Sequence, residues 1–278
     1  MIKKISVMAA DIDGTLIPKG GKPMPKTQEA MRRLHNDGVK IGLASGRPYD
    51  RRIFNLSEEW GLGFSFDFVI GMNGGDLYDA ADDTTEHYFT LKKEDVYEII
   101  SHIEHLDLNA IVYNQGYDDI SALRMDDFMR DSIRRNHSHV TIGDARFLAR
   151  FDTGKIEVHL KPALEPEFMR ICDSFKTDRW NIVATFKTKD HVTLEFQDPR
   201  VNKGLGILGY ASKHGIDMSE VIAFGDLDND IGLLKEAGWG VCLVNGSDAT
   251  KAISQAITEY PVTEDGVGRY LEDHWFNK

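Results

Sequence analysis

Asp11-Ile12-Asp13-Gly14-Thr15 decides the fold of this chain, and it directly follows the apolar run Ile5-Ser6-Val7-Met8-Ala9-Ala10. The run predicts a buried strand, so the carboxylates of Asp11 and Asp13 come at the carboxyl end of that strand. Neighbouring carboxylates repel each other, and each needs a cation or several hydrogen bonds to stay ionised there. The pattern therefore predicts a bound metal ion, with Asp11 as a ligand, a nucleophile or both.

The composition is that of a soluble globular protein, with 278 residues, of which 41% are hydrophobic and 28% charged. The net charge of −12 argues against a nucleic-acid-binding or membrane-binding surface. The short apolar stretch after Lys3 and Lys4 is interrupted by acidic residues, so it predicts neither a signal peptide nor a membrane span. Cys172 and Cys242 lack a metal-type spacing and are expected to be buried free thiols. We therefore expect a cytoplasmic protein.

Strands and helices alternate in the first and last parts of the chain. Short apolar strands are predicted at residues 39–44, 68–70, 221–224 and 241–244, and helices at residues 27–37, 203–213 and 231–237. This succession predicts an α/β fold with a doubly wound parallel sheet.

The middle of the chain has a different pattern. Residues 156–160 and 192–196 alternate between apolar and polar types, which is typical of half-buried antiparallel strands. A helix is predicted between them, from Glu165 to Phe175. We therefore expect a discontinuous core of residues 1–81 and 199–278, interrupted by an α+β domain of residues 82–198.

Polar side chains follow the core strands where each strand ends. They are Asp11 with Asp13, Ser45, the Asn73-Gly74 turn, and the segment from Asp226 to Asp230. The carboxyl ends of such strands share one crevice, where ligands bind. Carboxylates and polar turns form a hard-oxygen site that suits Mg²⁺. Lys203 begins a helix beside the same edge, and its charge can hold an anion that carboxylates alone would repel.

Phosphoryl transfer is the chemistry that needs this set, because it requires charge neutralisation and an in-line nucleophile. Asp11 would attack phosphorus and form an aspartyl-phosphate. Asp13 would protonate the leaving alcohol and then deprotonate the hydrolytic water. Mg²⁺ would bridge Asp11, Asp226 and the phosphate. The other phosphate oxygens would be held by Thr15, Ser45 and Lys203.

These motifs resemble those of the haloacid dehalogenase-like phosphatase superfamily, in its Cof-type branch. The four matching motifs, in family order, are Asp11-x-Asp13-Gly14-Thr15, Ser45, Lys203 within Val201-Asn202-Lys203-Gly204, and Gly225-Asp226-x-x-Asn229-Asp230. The resemblance implies a Rossmann-like core with an inserted α+β cap, and dependence on Mg²⁺. It also implies hydrolysis of small phosphorylated metabolites, most commonly sugar phosphates.

The resemblance adds further site residues. It implies phosphate contacts from Asn229 and from the Gly46 N–H, with Arg47 close to the substrate. It also implies an acid on the metal side at Asp230. The expected metal ligands are then Asp11, Asp13, Asp226 and Asp230.

Other polar residues receive no functional role. Val244-Asn245-Gly246 stands where many relatives carry Met-Gly-Asn-Ala, so no function is assigned to Asn245. Asp228 is an extra acid that we expect to face solvent. His137 and His139 have no acidic partner in place and are also expected to face solvent.

Three alternatives compete with the phosphatase hypothesis. A calcium-binding loop is disfavoured because a strand, and not a helix, precedes Asp11. A capped phosphomutase would keep the fold and return the phosphoryl group to a bisphosphate intermediate. A phospho-accepting signalling domain would use a similar aspartate and lysine, but Asp13 would shorten the lifetime of its signal.

Overall fold

The computed structural model describes residues 2–18 and 20–277 of the chain. Contacts divide it into two compact units, residues 1–86 with 202–278 and residues 87–201. Residues 82–86, expected in the inserted domain, group with the first unit, and residues 199–201 group with the second. Within the described residues, no helix has the length and apolar character needed to cross a bilayer. The roles of the units as catalytic core and cap stay a prediction at this point.

The strands, in chain order, are β1 (Val7–Ala10), β2 (Lys40–Ala44), β3 (Phe68–Gly71), β4 (Asp76–Asp79), β5 (Thr84–His87), β6 (Asn109–Gln115), β7 (Asp119–Ala122), β8 (His139–Ile142), β9 (Ile156–Leu160), β10 (Asn181–Lys187), β11 (Val192–Gln197), β12 (Val221–Gly225), β13 (Trp239–Cys242) and β14 (Ala256–Ile257). The α-helices are α1 (Pro25–Asn36), α2 (Arg51–Phe54), α3 (Leu56–Glu59), α4 (Lys93–Ile103), α5 (Asp127–Asn136), α6 (Ala145–Leu148), α7 (Glu165–Ser174), α8 (Lys203–His214), α9 (Ile231–Glu236), α10 (Asp248–Ile253) and α11 (Gly266–Leu271).

The first unit is built around a sheet with the strand order β14-β13-β12-β1-β2-β3-β4-β5. Strand β1 pairs in parallel with β12 on one side and with β2 on the other. All four residues of β1 are buried, which explains why its sequence is a continuous apolar run. Because β2, β1 and β12 are parallel neighbours, the loops after them come out at one edge. The predicted α/β fold class is confirmed.

The hairpin after β3 was not predicted from the sequence. Strand β4 is antiparallel to β3, with Phe68 opposite Asp79 and Gly71 opposite Asp76, and β5 extends the sheet beyond it. The sheet is therefore mixed and not wholly parallel. Strand β4 is acidic at both ends and β5 is polar throughout, so neither shows the apolar alternation that identifies a strand.

The second unit contains a sheet with the order β10-β11-β9-β6-β7-β8, in which β7 and β8 are parallel and the other described pairs are antiparallel. Alternate residues of β6, β9 and β11 form a core with the apolar sides of α4, α6 and α7. Cys172 lies in this core, and both it and Cys242 are free buried thiols, as predicted. His137 and His139 are exposed, also as predicted, although His139 has an acidic partner, Asp119, at 3.3 Å.

The polar positions of β9 and β11 are buried as well, so the prediction of half-buried strands was wrong. The Lys155 ammonium lies 2.5 Å from a carboxylate oxygen of Glu195 and 3.3 Å from one of Glu157. Glu157 also interacts with the His159 ring at 2.6 Å and accepts a hydrogen bond from the Tyr113 hydroxyl at 3.0 Å. Charge pairing therefore replaces solvent on this face of the sheet.

Stability should fall in acid because of Glu157. Burial opposes its charge, but Lys155, His159 and Tyr113 outweigh that effect and lower the pKa of Glu157 from 4.5 to about 2. A carboxyl with a lowered folded-state pKa stabilises the fold above its unfolded pKa, and this contribution is lost as the pH falls. We expect the free energy of unfolding, measured in urea, to drop by on the order of 3 kcal/mol between pH 5 and pH 2 through this group.

The variant Glu157→Gln provides the control. It should be less stable than the parent at pH 7 and should lose less stability on acidification. An unchanged slope of stability against pH in Glu157→Gln would show that Glu157 does not control the acid response.

Candidate functional site

The loop after β1 packs tightly against Asp226. The backbone N–H of Asp11 donates to the carbonyl of Phe224 at 3.0 Å, which joins the end of β1 to β12. Gly14 has a φ of +93°, and a side chain there would meet a carboxylate oxygen of Asp226 at 2.4 Å. Glycine is therefore needed at this position both for its backbone conformation and for the close approach.

Lys203 is the first residue of α8. Asn202 caps this helix by accepting a hydrogen bond from the Leu205 N–H at 3.2 Å. The Lys203 side chain is 0% exposed, and its ammonium donates to Asp11 Oδ1 at 2.6 Å and to Asp230 Oδ1 at 2.5 Å. Helix α8 thus places a buried positive charge between the first and fourth motifs.

Three carboxylates meet around this lysine. Oxygens of Asp11, Asp226 and Asp230 all lie within 4.8 Å of one another. The other oxygen of Asp230 accepts from the N–H groups of Asp226 at 2.9 Å and Leu227 at 3.1 Å, which fixes the loop after β12. The Thr15 hydroxyl donates to Asp226 Oδ1 at 2.9 Å and so orients that carboxylate.

The electrostatics show an excess of negative charge at this cluster. Burial raises the pKa of Asp11 to about 8, although Lys203 opposes the shift. Burial, followed by the charge of Asp230, raises the pKa of Asp226 to about 6. Burial works against the charge of Lys203, but Asp11 and Asp230 outweigh it and raise its pKa. One ammonium thus does not balance three carboxylates, and a divalent cation would.

The donor set fits Mg²⁺. The candidate ligands are carboxylate oxygens, which are hard donors of the kind that this ion prefers. Asp226 has its second oxygen beside Gly14, whereas both oxygens of Asp230 accept hydrogen bonds. Asp11 and Asp226 are therefore the better placed pair to hold the ion.

Asp13 lies apart from this carboxylate cluster. Its side chain is 46% exposed, and Oδ2 pairs with the Arg47 guanidinium at 2.5 Å. Among the described residues, Asp13 does not join the group formed by Asp11, Asp226 and Asp230. The geometry thus gives no support to the prediction that its carboxylate binds the metal, and it separates the two acids of the first motif into a buried one and an exposed one.

The loops after β2 and β3 bring in the remaining predicted residues. Ser45 is buried, and its N–H donates to the Ile70 carbonyl at 2.7 Å. Its carbonyl accepts from the Asn73 N–H at 3.0 Å. The Asn229 amide donates to the Asn73 carboxamide oxygen at 3.2 Å. Ser45 and Asn229, from the second and fourth motifs, are thus both in contact with Asn73.

Two residues that contact the predicted motifs, Asn245 and Asn73, received no role from the sequence. The Asn245 amide donates to the Gly14 carbonyl at 2.9 Å, and its oxygen accepts from the Val262 N–H at 2.9 Å. Asn73 was noted only as part of a polar turn. For Asn245, the only available signal was an Asn-Gly pair after a strand, which is common in ordinary turns. Asp228 is exposed, as expected, and accepts from the Ser247 hydroxyl at 2.5 Å.

Known proteins resemble this chain over nearly its whole length. The Bacillus subtilis (strain 168) protein named 5-amino-6-(5-phospho-D-ribitylamino)uracil phosphatase YitU is 27% identical over 284 residues, covering 99% of each chain. A second protein of that strain, YcsE, has the same activity name and is 25% identical over 274 residues, covering 98% of this chain and 96% of its own. The predicted enzyme class, a phosphoric monoester hydrolase, agrees with these names.

The fold is also shared with solved structures. A haloacid dehalogenase-like hydrolase from Bacteroides thetaiotaomicron superposes with a TM-score of 0.78 at 23% identity, covering 97% of this chain and 99% of that one. A family model described as haloacid dehalogenase-like hydrolase matches residues 8–271. The predicted resemblance is therefore confirmed, and the chain belongs to the haloacid dehalogenase-like hydrolase family.

Proposed function

We propose that this protein is a Mg²⁺-dependent phosphatase that hydrolyses small phosphorylated metabolites through an aspartyl-phosphate intermediate. One observation carries the proposal: the fully buried Lys203 ammonium contacts Asp11 and Asp230, inside a cluster of three carboxylates at the carboxyl edge of the sheet. A buried lysine that holds a carboxylate in place suits a nucleophile that must approach an anionic phosphate.

In the first step, a carboxylate oxygen of Asp11 attacks phosphorus, and the bond from phosphorus to the ester oxygen breaks. Asp13 gives its proton to the departing oxygen, so the leaving group departs as an alcohol. The exposed position of Asp13 suits this role, because the leaving group extends away from the buried carboxylate.

In the second step, Asp13 takes a proton from a water molecule, and the water oxygen attacks phosphorus. The bond from phosphorus to the Asp11 oxygen breaks, which releases inorganic phosphate and restores both carboxyl groups. The transferred phosphoryl oxygens would contact Thr15, Ser45, Lys203, Asn229 and the Gly46 N–H. Lys203 has a third ammonium hydrogen for this purpose besides the two that bind carboxylates.

Asp11 and Asp226 would hold Mg²⁺, with Asp230 beside them and Thr15 orienting Asp226. The ion would supply positive charge that lets an anionic phosphate enter a cluster of carboxylates. We do not retain the Asp13 carboxylate as a ligand, because it pairs with Arg47 outside the cluster.

The substrate class that we propose is a sugar phosphate or a related phosphorylated polyol. Two relatives are named for hydrolysis of a phosphoribityl compound. We propose that the second unit, residues 87–201, is the cap that selects the leaving group, because the first unit already contains the residues that handle the phosphoryl group.

A phosphate-release screen tests the function. The protein is incubated with hexose phosphates, pentose phosphates and 5-amino-6-(5-phospho-D-ribitylamino)uracil, with Mg²⁺ and with EDTA. We expect release of inorganic phosphate with Mg²⁺ and loss of this activity in EDTA, with recovery when Mg²⁺ is restored. Mg²⁺ should also raise the melting temperature, and Asp226→Asn should abolish that rise whereas Asp228→Asn should not.

Different outcomes reject different parts of the proposal. Full activity in EDTA would reject the metal requirement. Isomer formation from a sugar phosphate without net phosphate release would identify a phosphomutase. No turnover of any phosphate ester in the screen would contradict the proposed substrate class.

A further inference from the structure

The turn Met72–Gly74, between β3 and β4, has an uncommon backbone. Met72 has a φ of 48° and Asn73 a φ of 55°, both in the left-handed region, and Gly74 follows with a φ of 105°. Non-glycine residues rarely adopt this conformation, since it is strained for all but a few residue types. Two such residues in succession persist only where the surrounding structure determines them, and such strain occurs often at functional segments.

This turn touches three separate parts of the proposed phosphate site. The Asn73 N–H donates to the Ser45 carbonyl at 3.0 Å. A side chain at Gly74 would lie 1.9 Å from the carbonyl oxygen of Asn202 and 3.0 Å from the N–H nitrogen of Lys203, so the turn backbone lies directly against the start of α8. The third contact is to Asn229, from the loop after β12. The turn therefore joins the second, third and fourth motifs.

The Asn73 carboxamide lies between Gly46 and Asn229. Asn73 is only 4% exposed, and its carboxamide oxygen accepts the Asn229 amide hydrogen at 3.2 Å. A side chain at Gly46 would come within 2.9 Å of that same oxygen. Gly46 and Asn229 are two of the residues proposed to donate hydrogen bonds to phosphate. The buried carboxamide of Asn73 is thus in contact with both Gly46 and Asn229.

We propose that Asn73 is a positioning residue for phosphate binding, which orients the Asn229 amide. Asn73 acts through Asn229 and does not itself touch the substrate. The inference rests on the proposed function, because Asn229 is assigned there to the phosphate. It predicts that loss of the Asn73 carboxamide weakens phosphate binding without disturbing the fold.

The residue type fits this role. Asparagine tolerates the left-handed conformation better than most residues do and supplies a neutral acceptor for the Asn229 amide. Glycine would keep the backbone conformation but lose the acceptor. Alanine would lose the acceptor and also strain the turn. The two substitutions therefore separate the hydrogen bond from the backbone requirement.

The test measures binding of inorganic phosphate to the full chain with Mg²⁺, by isothermal titration calorimetry. Asn73→Gly should weaken binding by about 3- to 10-fold, the range expected for one neutral hydrogen bond. Its melting temperature should stay close to that of the parent. Asn73→Ala should weaken binding to the same extent and should also lower the melting temperature. His137→Gly is the matched control, since His137 is an exposed left-handed residue in the second unit. It should not change phosphate binding.

A double-mutant cycle with Asn229→Ala decides whether Asn73 acts through Asn229. We expect the double variant Asn73→Gly with Asn229→Ala to bind phosphate no more weakly than Asn229→Ala alone. Additive losses would overturn the inference, and so would unchanged affinity in Asn73→Gly. Failure of the parent protein to bind phosphate would overturn it as well. Phosphate binding with the expected coupling, but without turnover in the screen, would uphold the inference and reject only the proposed reaction.

Discussion

The variant Asp11→Asn should abolish turnover, with a loss of at least about 1,000-fold in kcat, because an amide cannot form the aspartyl-phosphate. The fold should survive. The asparagine oxygen can still accept from Lys203, and the substitution removes one of three mutually repelling carboxylates. Phosphate release under saturating substrate and Mg²⁺ measures the effect, and circular dichroism checks the fold.

Asp79→Asn is the matched control for this variant. Asp79 is also buried at the end of a strand, and it also pairs with a lysine of α8, Lys213, at 2.9 Å. It lies outside the proposed machinery, so its variant should keep the parent kcat. Mass spectrometry must show that the introduced asparagine in Asp11→Asn has not deamidated, because deamidation would restore the aspartate. Full activity in intact Asp11→Asn would reject covalent catalysis by Asp11.

The variant Lys203→Met should lose both stability and activity. Breaking a buried ion pair by removing one partner leaves uncompensated charge, which costs about 3–5 kcal/mol of folding free energy. Here the lysine is fully buried and contacts Asp11 and Asp230, so the cost should be at the upper end. Loss of a charge that stabilises the transition state should lower kcat by at least about 100-fold. Urea unfolding and phosphate release measure the two effects.

Lys213→Met, at the other end of the same helix, is the control. The Lys213 side chain is 29% exposed, and its ion pair with the 47% exposed Asp82 is open to solvent. Its other partner, Asp79, also contacts the His214 ring and accepts from a backbone N–H. Solvent-exposed ion pairs contribute about 0–1 kcal/mol. A Lys203→Met variant as stable and active as Lys213→Met would show that the buried lysine does not organise the carboxylates.

The fold was predictable where the sequence pattern was local. The α8 prediction of residues 203–213 corresponds to Lys203–His214 in the structure, because apolar spacing and the following Gly215 mark both the helix and its end. Strands β4 and β5 were missed, since their polar residues carry no such pattern. The polar face of β9 and β11 was misjudged as exposed. Its charges pair with each other in the interior, and no periodicity reveals such pairing.

The candidate site was also predictable only in part. The motif order placed Asp11, Lys203 and Asp226 at one edge, and the structure brings all three together. The motifs assigned Asp11 and Asp13 different chemical roles but predicted that both carboxylates bind the metal, because they are the same residue type two positions apart. The structure separates them by partner: Asp11 is bound to a buried lysine, and Asp13 to the guanidinium of Arg47.

The sequence by itself determined the α/β fold, the family and the residues of the four motifs, because strand periodicity and motif composition are properties of neighbouring residues. The tertiary structure decided which carboxylate is buried, which one is exposed, and what holds the polar loops in place. Lys203 and Asp11 are 192 positions apart, and Asn229 and Asn73 are 156 apart. Contacts over such separations depend on how strands and helices pack, and this packing sets the charge balance around Asp11.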